Sequence, residues 1–427
     1  MRADVLDDRG ARPGARAAVV RQDVPVTTDL DLLTGDDAGE LLSTAVATSG
    51  GELVDWVVRQ VDHRPGGSTT VAYRATVRWA DGARQVTVGA TVGQLAERAL
   101  DGTSAGVLTL DDGERRAAVW IFPDDPGLPA LRPAFDAATV SALLGDLGVP
   151  AESRGPVTLA VRAYRPTRRA VIEATTPGAR LFLKVVRPSR VADLQARHEL
   201  LSDAGLPVPQ PLGWTDEGLV VLAPLSGDSM RTALRRGEAV PAAAEILDLL
   251  DRLPSGVVEL PRRSAWSENA AHYASVIGAA MPSEAARAAE LASAIGRRIE
   301  GIEGDEPTHG DLYEAQILLR DGAISGLLDV DTAGPGRRAD DLACLVAHLE
   351  TLALLRGWDA ERLAGLAREY AAAFAAAVDP DELGARVAGV LLSLATGPHR
   401  VQDVDWQPQT TRRLDAVEAW LAGDHRR

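Results

Sequence analysis

His309-Gly310-Asp311 is followed, after four intervening residues, by Gln316, then by the apolar run Ile317-Leu318-Leu319, a turn at Asp321-Gly322 and a second apolar run that ends at Asp329. Residue types in this order suit phosphoryl transfer from a nucleotide to a hydroxyl. One carboxylate, Asp311, would accept the hydroxyl proton. An amide oxygen, Gln316, and a second carboxylate, Asp329, would share a metal ion that bridges to the nucleotide phosphates. Two short strands joined by a tight turn would return Gln316 and Asp329 to the side of Asp311. The other reading of any one of these residues is a buried hairpin with capping aspartates and a core histidine.

Such a site needs a cation for the phosphates. Lys184 is the only lysine among 45 Lys plus Arg residues. A chain that uses Arg at every other basic position and keeps one Lys points to a place that needs a compact ammonium rather than a planar fork. Lys184 lies in the third of three expected strands, Val157–Tyr164, Ala170–Ala174 and Leu181–Val186. The helical pattern of Val191–Leu201 follows, with Glu199 fifteen residues after the lysine and expected to pair with it. Strands around Pro211–Trp214 and Leu219–Leu222 then lead to a hinge at Ala223-Pro224-Leu225-Ser226-Gly227, where Leu222, Ala223 and Leu225 are expected to frame the adenine through the backbone. No Gly-x-Gly-x-x-Gly joins the first two strands. Their turn is Arg165-Pro166-Thr167-Arg168-Arg169, whose guanidinium groups, Arg168 foremost, either meet nucleotide phosphates or face solvent.

The remaining chain supplies supports. With 427 residues, more than one core is expected. A net charge of −16 disfavours nucleic acid as a partner. No apolar run of membrane-spanning length occurs, and the acidic start Met1–Asp8 lacks the features of a signal peptide, so a cytoplasmic protein without a membrane partner is expected. Cys344, the single cysteine, reads as a small buried hydrophobe. Residues 1–136 read as an α/β or β-rich segment with no catalytic spacing. Its Arg64-Pro65, strand, Gly82-Ala83-Arg84, strand order echoes Arg165-Pro166, strand, Gly178-Ala179-Arg180, strand. Val88 stands where the second copy has Lys184, and duplication or convergent hairpin chemistry explains the echo equally.

On these motifs the chain resembles the aminoglycoside phosphotransferase and choline kinase-like family, in which His-Gly-Asp replaces the His-Arg-Asp of protein kinases. Within it the sequence is most similar to the actinobacterial glucosamine kinases and maltokinases, which also carry Gln at the position of Gln316 and an added N-terminal domain. The resemblance implies an α+β, bilobal, protein kinase-like fold. The expected parts are an N-terminal α/β cap over residues 1–136, a β-rich small lobe over 137–225, and a mostly helical catalytic and acceptor-binding lobe over 226–427. It implies ATP and Mg²⁺ as cofactors, Asp311 as base, His309 as the structural residue of the loop, and Asp341 as a carboxylate that supports the loop from the next helix.

The acceptor side is expected in His399–Gln407, where a helix would put Gln402, Asp405 and Trp406 on one face, suited to a sugar ring or to plain core packing. The glucosamine kinase resemblance implies that a carboxylate there reads the 2-amino group. The expected activity is therefore an ATP-dependent sugar kinase acting as a monomer, with glucosamine as first substrate. Maltose or an aminoglycoside as acceptor, or a nucleotide-holding protein without transfer, are the alternatives.

Overall fold

Alternating apolar residues fold the N-terminal part into a five-stranded antiparallel sheet. The computed structural model describes residues 28–94, 106–111, 115–148 and 155–424; the acidic Met1–Asp8 segment lies outside them. Strands β1 (Glu52–His63), β2 (Ser68–Trp79), β3 (Gly82–Gly93), β4 (Val107–Asp111) and β5 (Arg116–Ile121) run in the order β1-β2-β3-β5-β4. Helices α1 (Asp29–Thr34) and α2 (Asp37–Thr48) lay Leu33, Leu42 and Val46 on one face of this sheet, against Tyr73, Val77 and Val88. The buried Tyr73 hydroxyl donates to the Leu33 carbonyl at 2.6 Å, so the one polar atom of that aromatic is satisfied.

After α3 (Ala137–Asp146) a second five-stranded antiparallel sheet repeats the same order. Strands β6 (Thr158–Arg165), β7 (Arg169–Thr175), β8 (Arg180–Val186), β9 (Pro211–Thr215) and β10 (Leu219–Leu222) run β6-β7-β8-β10-β9, with α4 (Pro188–Asp203) between β8 and β9. Lys184 pairs across the ladder with Val171 and Val220, and Val88 of the first sheet pairs with Tyr73 and Ile121. The sequence echo therefore coincides with a shared sheet topology. Val88 is fully buried, an apolar side chain where the second sheet carries its ammonium.

A chain of hydrogen bonds ties the two sheets and the connecting segment to the β6–β7 turn. Trp120 Nε1 donates to the Tyr164 hydroxyl at 2.9 Å, and that hydroxyl donates to Asp125 at 2.8 Å. Asp125 also accepts from the amides of Thr167 (2.7 Å) and Gly127 (2.8 Å). Thr167 has φ of 59°, a left-handed conformation rare for a β-branched residue, and the Asp125 contact holds it there. Leu128, Leu131 and Ala134, although they precede residue 137, pack with Val140 and Leu144 in the core of the second sheet.

Beyond the hinge the chain is helical. Short β11 (Asp228–Ser229) leads into α5 (Met230–Arg236), α6 (Ala243–Asp251), α7 (Ala270–Ala280) and α8 (Ala285–Ile299). Strands β12 (Glu306–Thr308), β13 (Ile317–Arg320), β14 (Ala323–Leu327) and β15 (Gly334–Gly336) bracket the catalytic motif, and α9 (Arg338–Ala353), α10 (Ala360–Phe374), α11 (Pro380–Ala395), α12 (Gly397–Arg400) and α13 (Trp406–Ala422) complete the lobe. One core unites Leu312, Ile317 and Leu327 with Leu345, Val387 and Leu391, so the catalytic hairpin rests on α9 and α11. The fold is α+β and two-lobed after the N-terminal sheet. No helix of the described residues is long and apolar enough to cross a membrane.

Candidate active site

The His-Gly-Asp loop is shaped by one buried carboxylate. Asp341, on the first turn of α9, accepts from the amides of His309 and Gly310, both at 2.7 Å. Its neighbour Asp340 serves a different purpose: it pairs at 2.6 Å with the fully buried Arg386, which also bonds Glu382 at 2.7 Å. That network anchors the start of α9 and therefore the position of Asp341. Removing one partner of so buried a set costs about 3–5 kcal/mol. Gly310 has φ of 80°, and a Cβ there would stand 2.6 Å from the Thr332 carbonyl, so the loop turns only with glycine.

His309 is fully buried and its tautomer is set by two contacts. Nδ1 accepts from the Asp311 amide at 3.3 Å, and Nε2 donates to the Leu328 carbonyl at 2.9 Å. Burial lowers its pKa, so it is a neutral strut between the catalytic loop and the strand leading to Asp329.

Asp311 accepts from Trp266 Nε1 at 3.0 Å, and Cys344 Sγ lies 3.9 Å from the same oxygen. Burial, reinforced by the charge of Asp329, pushes its pKa up to about 7. A carboxylate that ionises near neutrality is a better proton acceptor than an ordinary aspartate. Cys344 is buried on α9, as its apolar neighbours suggest.

Asp329 sits at φ 56°, ψ 51°, a left-handed conformation of a non-glycine residue within the site. Its Oδ1 receives Lys184 Nζ at 2.8 Å, and the same ammonium contacts Asp331. Arg169 reaches both Asp329 oxygens at 3.0 Å. Burial alone would raise the Asp329 pKa, but Lys184 and Arg169 hold it well below the usual carboxylate range. Burial likewise works against the Lys184 ammonium, and the facing Asp329 and Asp331 outweigh it.

Two expectations change here. Glu199 does not meet Lys184; its carboxylate accepts from Gln195 Nε2 at 2.9 Å, one turn back on α4. The lysine lies toward the two carboxylates because they are unscreened anions across the cleft. Arg168 is held by Asp62 of β1 at 2.6 Å, so of the arginine turn it is Arg169 that meets the metal-side carboxylate.

The donor set suits Mg²⁺. Gln316 Nε2 lies 3.4 Å from Asp329 Oδ2, so the hard oxygens of the cleft are the Gln316 amide oxygen and the Asp329 and Asp331 carboxylates, with both Asp329 oxygens accepting from Arg169 and one oxygen of each carboxylate from Lys184. A metal held by so few protein groups completes its shell with water and phosphate oxygens, the habit of Mg²⁺. At the hinge, the Ala223 amide already donates to the Gln210 carbonyl at 2.9 Å, and Leu222 is buried. The Leu225 amide makes no hydrogen bond among the described residues.

A cavity of about 650 Å³ opens at Asp311. Trp266, Asn269, Tyr273, Tyr313, His348 and His399 supply aromatic faces and hydrogen-bonding groups, and the β1–β2 turn of the N-terminal sheet closes one side through Asp62, His63 and Arg64. The expected acceptor face is not part of it. Gln402 has φ of 52° in the turn between α12 and α13 and donates to the His399 carbonyl. Asp405 is half-exposed and 3.6 Å from Arg356, and Trp406 packs edge-on against His399 at 4.8 Å. α12 ends at Arg400 with Val401 as its cap and α13 begins only at Trp406, so the three side chains never share a helical face. Trp266 and the N-terminal turn had no spacing signal in the sequence, since each enters from an element remote in the chain, whereas Arg169 belongs to the arginine turn that the sequence singled out.

Residues 166–377 match the model of the phosphotransferase enzyme family, APH. No curated protein matches the chain. Among solved structures the chain is similar to aminoglycoside phosphotransferase APH(4)-Ia, at 13% identity over 66% of this chain and 98% of that one, with a TM-score of 0.46. It is also similar to APH(3'')-Id from Streptomyces rimosus, at 22% identity over 59% and 97%, with a TM-score of 0.40. A third likeness is to the GDP complex of an aminoglycoside 2'-phosphotransferase-IIIa variant, at 15% identity over 68% and 100%, with a TM-score of 0.45.

Proposed function

We propose that the protein is an ATP-dependent kinase that phosphorylates a hydroxyl of a sugar-sized small molecule. The observation that carries this reading is the convergence of Asp311, poised near neutrality, with Asp329, Gln316 and Lys184 across one cleft beside a cavity. Asp311 takes the proton of the acceptor hydroxyl as its oxygen bonds to the terminal phosphorus of ATP and the bond to ADP breaks. Lys184 and Arg169 are placed to turn from the carboxylates to phosphate oxygens. Mg²⁺, held by Asp329 and Gln316, would supply charge neutralisation of the phosphates.

The cavity suits a sugar through its aromatic and hydrogen-bonding lining. Glucosamine is the specific acceptor that the sequence resemblance favours, but the carboxylate that would have read its ammonium, Asp405, does not line the cavity. The wider proposal does not depend on it. ADP release measured over glucosamine, maltose, choline and kanamycin tests the reading; failure to bind ATP with Mg²⁺ would overturn it.

A further inference from the structure

The walls of the cavity carry more positive charge than they balance. Arg64, Arg165, Arg168, Arg169 and Arg400 line it, against the carboxylates Asp62 and Asp311. Arg168 is paired with Asp62, and Arg169 with Asp329. Among the described residues no carboxylate lies within ion-pair distance of Arg165 or Arg400, and both are at least half withdrawn from solvent. Burial first, and then the like charges of Arg168 and Arg400, bring the Arg165 pKa down to about 10 against the opposing charge of Asp62. Unmatched, partly buried cations cost free energy that a complementary anion recovers through charge-assisted, often bidentate hydrogen bonds.

The origin of the two residues says which anion. Arg400 ends α12 in the large lobe, beside His399, Thr396 and Ser393, and its charge bears on Tyr273 and His348. None of these belongs to the strands that carry Lys184 and Asp329. The four histidines of the cavity, His63, His272, His348 and His399, all have lowered pKa values from burial, so they offer neutral donors and acceptors and add no charge at neutral pH.

We propose that the acceptor is a sugar or polyol bearing an anionic group, a carboxylate or a phosphate, which Arg165 and Arg400 hold while a hydroxyl of the same molecule faces Asp311. This rests on the kinase reading and names its substrate class. A cationic amino sugar would bring like charge against Arg400, and a neutral sugar would leave the pair unmatched.

The test is ADP release by the full chain with Mg²⁺-ATP and, in separate arms, glucuronate, gluconate, glucose 1-phosphate, glucose 6-phosphate, glucose and glucosamine. The carboxylate and phosphate arms separate the two sources of charge. An anionic acceptor should be preferred. Arg400→Gln and Arg165→Gln should each raise its KM about tenfold to a hundredfold, while the Kd of ATP, titrated without acceptor, stays within about twofold. Rescue of KM by Arg400→Lys in part, but not by Gln, separates charge from packing. Turnover confined to glucose or glucosamine, or equal weakening of ATP and acceptor in the variants, would overturn the proposal and leave the kinase reading standing. Absence of Mg²⁺-ATP binding in the wild-type chain would instead remove the kinase reading and this inference with it.

Discussion

Lys184 Nζ lies 2.8 Å from Asp329 Oδ1, and the helical Glu199 is turned away to Gln195. The ammonium thus rests on the Asp329 and Asp331 carboxylates, and in the proposed mechanism it leaves them for the phosphates. Lys184→Arg should lose at least about a hundredfold in kcat/KM despite unchanged charge, because a planar fork does not fit between Asp329 and Asp331. Glu199→Gln should change kcat/KM by less than about threefold. Steady-state kinetics on both variants decide this, and a large loss in Glu199→Gln would mean that the lysine works from a different partner.

The proposed mechanism assigns proton transfer to Asp311 and metal binding to Asp329. Asp311→Asn should lower kcat by about 10²–10⁴ and leave the Kd of Mg²⁺-ATP nearly unchanged. Asp329→Asn should weaken Mg²⁺-ATP itself by tenfold or more in the same titration, about 1.4 kcal/mol. The reverse pattern would exchange the two roles.

The raised pKa of Asp311 gives a pH dependence of a stated sign. Its ionised form is the base, so kcat/KM should fall as pH drops through about 7. The stability effect runs the other way. The unfolded carboxyl ionises near its ordinary value of 3.8 and the folded one near 7, so folding loses stability as pH rises between them. Asp311→Asn should therefore melt higher than wild type at pH 8, by about 1–3 °C, and the gain should shrink toward pH 5. An unchanged difference across that range would place the Asp311 pKa near its ordinary value.

Asp405 stands outside the cavity, half-exposed and facing Arg356. Asp405→Asn should leave the ratio of glucosamine to glucose turnover within about twofold, the scale of a surface ion pair. A tenfold narrowing of that ratio in competition assays would bring Asp405 back to the acceptor.

The local chemistry was legible in the sequence because it is local. The strand pattern around Lys184 and the hairpin between Gln316 and Asp329 depend on residues close in the chain, and β8, β10, β13 and β14 fall where alternation and turn residues put them. Asp341 came from the family resemblance and not from any local pattern, since the His309 amide it holds lies 32 residues earlier in the chain. Tertiary packing alone decided which charges meet. Lys184 chose Asp329 and Asp331 over Glu199, separations of 145 and 147 residues against fifteen, because opposite charges that share a desolvated cleft attract more strongly than a partner already bonded on its own helix. The acceptor cavity is the extreme case. Its lining joins the β1–β2 turn, the β6–β7 turn, α7 and α12, and no periodicity within any one of these segments encodes the distance to another. Helical spacing placed Gln402, Asp405 and Trp406 on a common face only if one helix ran from His399 to Gln407, and the chain leaves the helix between Arg400 and Trp406.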